Sequence, residues 1–107
     1  MPMKTWKRVE QTVAQLVEGQ RVGNKGCATE DVTHPLFSIE CKHRSQLPTL
    51  ITDGYAQAER NSPKDRTPLL VLHEKGSRRF LAVLPLDVLM KLLSRIEFES
   101  KDSGEPP

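Results

Sequence analysis

The segment Asp31-Val32-Thr33-His34-Pro35-Leu36-Phe37-Ser38-Ile39-Glu40-Cys41-Lys42 decides how this chain is read. From Leu36 to Lys42 the side chains alternate: Phe37, Ile39 and Cys41 face one way, Ser38, Glu40 and Lys42 the other. That is the period of a β-strand with one apolar and one charged face. Glu40 and Lys42 therefore emerge on the same side, about 7 Å apart at the backbone. His34-Pro35 reverses the chain just before, so Asp31 falls on the preceding strand of a hairpin, within reach of Glu40. Two carboxylates converging on one point repel each other without a cation, and an oxygen-only donor pair suits Mg²⁺, with Mn²⁺ as a substitute. Such an ion offers a Lewis acid to a phosphoryl oxygen and acidifies a bound water, while Lys42 orients that water or neutralises transition-state charge. The competing reading is a solvated strand that alternates charge by chance; its fully apolar opposite face instead marks a core strand.

Working outward toward the N-terminus, Trp6, Val9, Val13, Leu16 and Val17 recur at three- and four-residue intervals between Lys4 and Glu18. They predict an amphipathic helix with Trp6 in the core and Glu10 riding the edge of the apolar stripe. Gly19 closes that helix, and Gly23-Asn24-Lys25-Gly26 marks a turn between extended pieces at 20–22 and 27–33. Toward the C-terminus, Thr49 to Asn61 reads as a helix with Thr49 as N-cap and Leu50, Ile51, Tyr55 and Ala58 buried. Pro68 to His73 and Arg79 to Leu84 read as the strands of a second hairpin. Pro85 then opens a last helix to about Ile96, with Leu89, Leu92, Leu93 and Ile96 as its stripe. The order α-β-β-β-α-β-β-α predicts an α/β fold with a central mixed β-sheet flanked by helices. One domain over residues 1–98 and a disordered polar tail over 99–107 are expected.

Composition narrows the function classes. The chain has 107 residues, 36% hydrophobic and 28% charged, which allows one lean core. Its longest apolar stretches fall far short of the roughly 20 residues that span a bilayer, and no signal-like apolar run follows the N-terminus, so a cytoplasmic protein without a membrane partner is expected. The net charge is +2, but the last nine residues hold three acids and one lysine, which leaves the body to Phe98 at +4. A mildly basic body suits a phosphate-bearing partner. Cys27 and Cys41 are expected as thiols, Cys41 packing in the core. Cys27, His34, Cys41 and His43 lack the paired spacing of a zinc site, and no Gly-rich phosphate loop is present.

Asp31, followed after eight residues by Glu40-Cys41-Lys42 on an apolar strand, resembles the motif of the PD-(D/E)xK nucleases, the restriction-endonuclease-like superfamily. Glu10 on the first helix, the element order, the short length and Ile39-Glu40-Cys41-Lys42-His43-Arg44 are most similar to the small Holliday junction resolvases of archaeal and phage type. The resemblance covers roughly residues 4–84, and Glu30 stands where the motif usually has Pro. It implies a Mg²⁺-dependent endonuclease that cuts DNA, branched or four-way junctions by preference, as a homodimer in a prokaryotic cell or phage-infected host. By match, Asp31 and Glu40 hold the metal, Lys42 is the catalytic lysine, Glu10 is a further acid at the metal and Gln57 a polar group near the site. Arg44, Lys25, Arg21 and His43 are the candidate DNA contacts, with Lys75, Arg78 and Arg79 as a separate basic cluster in the second hairpin. Flap, nick or restriction-type cleavage and a catalytically silent DNA-binding module are the alternatives within this fold. A small interaction protein, using an apolar patch on the last helix around Val88, Met90 and Leu92, is the reading from another class.

Overall fold

A computed structural model describes residues 5–23 and 30–102, with side chains as far as 97. The elements in chain order are α1 (Thr5–Val17), β1 (Gln20–Arg21), β2 (Val32–Thr33), β3 (Ser38–Ile39), α2 (Thr49–Asn61), β4 (Leu70–His73), β5 (Phe80–Val83) and α3 (Leu86–Asp102). The protein is thus a small mixed α/β protein with three helices. In place of one central mixed sheet, the described strands form two antiparallel sheets, β1-β2-β3 and β4-β5. Each described strand pairs with its neighbour in sequence through a connection too short for the crossover that parallel pairing requires. The described residues form two compact units, one of those up to Arg44 together with those from Met90 on, the other Ser45–Leu89.

In the first unit α1 packs on β1 and β2. Its buried line is Glu10, Ala14 and Val17, against which Val32 of β2 is fully buried. This line is rotated from the stripe expected from sequence. Small Ala14 lets the helix lie close to the strands, and the rotation carries Glu10 inward from the edge while Trp6 and Leu16 stand about half exposed. Trp6 is therefore not a core residue; Lys7 Nζ and Arg21 Cζ lie 5.4 and 5.8 Å from its ring centroid.

The end of α1 shows two different uses of backbone freedom. Glu18 N–H donates to Gln15 O (3.3 Å) and Gly19 N–H to Ala14 O (2.8 Å), the paired bonds of a Schellman cap. The left-handed residue of that cap is Glu18, at φ 56°, and not the glycine. Gly19 answers to a different constraint: a Cβ there would overlap the backbone carbonyl oxygen of Thr33 on β2.

The three-stranded sheet pairs Gln20 with Thr33 and Arg21 with Val32, then Val32 with Ile39 and Thr33 with Ser38. His34 and Phe37 exchange backbone bonds of 3.1 and 3.2 Å across the expected reversal, and His34 Nδ1 accepts Leu36 N–H at 3.0 Å.

In the second unit α2 packs on β4. The helix spans the expected Thr49–Asn61, but its N-cap is Pro48, whose carbonyl accepts Ile51 and Thr52 N–H, and Thr49 lies inside the first turn. Leu50 is 69% exposed, whereas Ile51, Tyr55 and Ala58, which share the face at three- and four-residue spacing, are half-buried. Tyr55 hydroxyl donates to Pro68 O at 3.1 Å, tying the middle of the helix to the approach of β4. Strands β4 and β5 pair in full register from Leu70↔Val83 to His73↔Phe80.

Helix α3 passes exposed Ile96, the last residue of the expected stripe, and continues to Asp102, inside the segment expected to lack order. No Gly or Pro interrupts Glu97 to Ser103, so nothing local stops propagation before Gly104. The tail at 103–107 lies outside the described residues. Among them, no helix is long and apolar enough to cross a membrane.

Candidate active site

The alternation that marks the 36–42 segment extends beyond its hydrogen-bonded part. Strand β3 ends at Ile39, yet Phe37, Ile39 and Cys41 are half-buried and Ser38, Glu40 and Lys42 exposed. Lys42 Nζ stands 4.0 Å from Glu40 Oε1, on the shared face that a period of two demands. Both side chains are well exposed, so the pair adds little stability and leaves both groups free to meet a ligand.

Asp31 is presented by a slip in the ladder. Val32 is the residue opposite Ile39, but Asp31 N–H also donates to Ile39 O, at 2.8 Å. Two residues facing one is the signature of a β-bulge, which bends the strand and re-aims its side chains. The Asp31 carboxylate turns onto the extension of β3, where Oδ2 accepts Cys41 N–H at 2.7 Å. A side-chain oxygen thereby satisfies the first N–H beyond Glu40, directly between Glu40 and Lys42.

Glu10 approaches from α1. Its buried carboxylate accepts Arg21 Nε on β1 at 2.8 Å, through Oε1. Removing the cation leaves a buried carboxylate without its donor. Arg21→Ala is therefore expected to cost about 1–3 kcal/mol in urea unfolding, and less once Glu10→Ala is also present. Equal costs in both backgrounds would show that the pair does not act as one.

The three carboxylates meet in their effect on Cys41. Its thiol is held above the usual thiol pKa, first by burial and then by the charges of Asp31, Glu10 and Glu40. Cys41 is half-buried, and the raised pKa keeps its thiol protonated at neutral pH. In a Cys27→Ser background, its alkylation by iodoacetamide should reach half-maximal rate at a higher pH than for an unperturbed cysteine, and Asp31→Asn or Glu40→Gln should move that midpoint down. A midpoint that ignores both substitutions would place the carboxylates elsewhere.

The other expected site residues are distributed as follows. His43 and Arg44 are exposed and directly follow Lys42. Arg21, expected as a DNA contact, makes the ion pair with Glu10. Gln57 is exposed on α2, in the 45–89 unit. Lys25 and Cys27 lie outside the described residues. Sequence reasoning missed the Glu10–Arg21 pair and the bulge at Asp31. The spacing Glu10, Ala14, Val17 was the available signal for the first, since a small residue at helical spacing marks the line of closest approach; the second left no local signal.

Among the described residues, no three of His, Cys, Asp and Glu gather closely enough to hold a metal ion alone. A hard divalent cation of the Mg²⁺ kind needs only one or two carboxylates and takes its other positions from water and substrate phosphate. Asp31, with Oδ2 given to Cys41 N–H and Oδ1 outside that bond, together with exposed Glu40, fits that smaller donor set. No protein-family model, no curated protein and no solved structure matches the chain.

Proposed function

We propose that this protein is a Mg²⁺-dependent DNA endonuclease of the PD-(D/E)xK kind, acting on branched DNA such as a four-way junction as a homodimer. The observation that supports it is the Asp31 carboxylate seated on Cys41 N–H, between Glu40 and Lys42, which stand 4.0 Å apart on one exposed face.

Asp31 and Glu40 hold the cation, which when bound polarises a phosphoryl oxygen and acidifies a water. Lys42 keeps its ammonium at the same face, where it orients that water toward phosphorus and offsets the negative charge that develops on the equatorial oxygens. Glu10, fixed by Arg21, supplies a third negative charge through water. His43 and Arg44 receive flanking phosphates of the cut strand.

The test is incubation of the purified protein with a labelled four-way junction and the matching linear duplex, in Mg²⁺ and in EDTA. Paired symmetric nicks on the junction, abolished by EDTA, are the expected result. Cutting of both substrates would replace junction resolution with flap, nick or restriction-type cleavage. Tight binding without cutting would point to a catalytically silent DNA-binding module.

A further inference from the structure

The β4–β5 hairpin combines features that the catalytic reading does not use. Its connection carries Lys75, Arg78 and Arg79 against a single acid, Glu74, and all four are exposed. Among the described residues none of these cations makes an ion pair. A hairpin that needed charge only for solubility has no reason to gather three cations of one sign on one tip, where they repel each other. Beside them the cross-strand pair His73 and Phe80 stack, ring centroids 4.4 Å apart and planes 21° from parallel. Phe80 remains 65% exposed, so its ring is open to a second planar partner.

The tip is also held in shape. Ser77 N–H donates to Glu74 O at 2.9 Å, Arg79 N–H to Ser77 Oγ at 3.0 Å, and His73 Nε2 stands 2.7 Å from Ser77 O. Gly76, at φ 87°, supplies the left-handed residue that lets the chain turn there. A rigid, basic, aromatic tip matches a polyanion whose planar groups are available for stacking. Unpaired nucleotides have that chemistry; an acidic peptide offers the charge without the planar faces.

We propose that the β4–β5 hairpin is a second nucleic-acid contact, in which Lys75, Arg78 and Arg79 take phosphates while the Phe80–His73 stack receives an unpaired base. It stands on residues separate from the proposed cleavage site, and it rests on the nuclease reading only for the expectation that DNA is the polymer met. Branched DNA exposes unpaired or weakly stacked bases at its crossover, where such a contact favours junction over plain duplex.

The experiment is fluorescence anisotropy with a labelled twelve-nucleotide thymidine strand and a duplex of equal length, in EDTA so that no cutting occurs. The single strand should bind more tightly than the duplex. Phe80→Ala should weaken single-strand binding about tenfold and the duplex little, while Phe80→Tyr retains it. Replacing Lys75, Arg78 and Arg79 by Gln should lower the slope of log affinity against log salt by about 2 on the single strand. Circular dichroism of each variant separates lost contact from lost fold, and an aspartate-rich peptide serves as the polyanion without bases.

Unchanged single-strand binding by folded Phe80→Ala, or equal competition by the peptide, would overturn the proposal. The nuclease reading would survive that result if Glu40→Ala still abolished cutting. Conversely, Glu40→Ala with normal cutting, alongside Phe80-dependent binding, would overturn the nuclease site and leave the hairpin standing.

Discussion

Replacing Glu40 by Ala is expected to lower Mg²⁺-dependent cleavage of a four-way junction by about a thousandfold or more, with no comparable loss of stability. Glu40 is well exposed, and its only ion pair among the described residues is the loose one with Lys42, so the fold has little to lose. As one of two carboxylates offered to the cation, it has much to contribute to the reaction. Asp31 needs a finer substitution, because Asp31→Ala also strips Cys41 N–H of its acceptor. Asp31→Asn keeps an oxygen for that hydrogen bond and removes the charge, so cleavage should fall by a similar factor while the melting temperature moves by only a few degrees. The measurement is single-turnover cleavage beside thermal unfolding. Cutting that persists in Glu40→Ala and Asp31→Asn would remove the proposed site altogether.

Gly19→Ala is expected to be the most damaging single methyl in the described protein, at about 3 kcal/mol, or roughly a 15 °C fall in melting temperature. The added carbon meets the Thr33 carbonyl oxygen, a backbone atom of the pairing strand that cannot rotate away. Relief requires α1 to separate from β1 and β2, which would open the side of the sheet where Val17 and Val32 are buried. The residue before it behaves in the opposite way. Glu18 occupies the left-handed position of the cap, so Glu18→Gly should raise stability by about 0.5–1 kcal/mol. Denaturant titration of both variants checks the assignment. A Gly19→Ala loss below about 1 kcal/mol would mean that α1 does not approach Thr33 this closely.

These two neighbours show how far local pattern carries. Gly after a helical stripe signals an end, and the helix does end there. Which of the two residues takes the left-handed conformation depended on where β2 arrives, a non-local fact. Trp6 and Leu50 teach the same lesson about faces. A stripe at helical spacing locates the apolar side to within about one residue's rotation; close packing at small Ala14 is enough to turn Trp6 outward, and Leu50 stands exposed one position before half-buried Ile51. At the site, the alternation from Phe37 to Lys42 was legible because a period of two follows from backbone geometry alone. The partner of Cys41 N–H was not, because a bulge is a mismatch between two strands and neither strand carries it.

The sequence by itself determined the three helices and five strands, their order, the reversal at His34-Pro35, and the shared face of Glu40 and Lys42. All of these rest on interactions within a few residues along the chain, which periodicity, proline and glycine report directly. Tertiary structure alone decided that the strands close into two antiparallel sheets, that Glu10 is buried against Arg21, and that Asp31 turns onto Cys41. Those outcomes depend on which surfaces meet and at what register, and the same local pattern is compatible with several such meetings until packing and hydrogen-bond satisfaction select one.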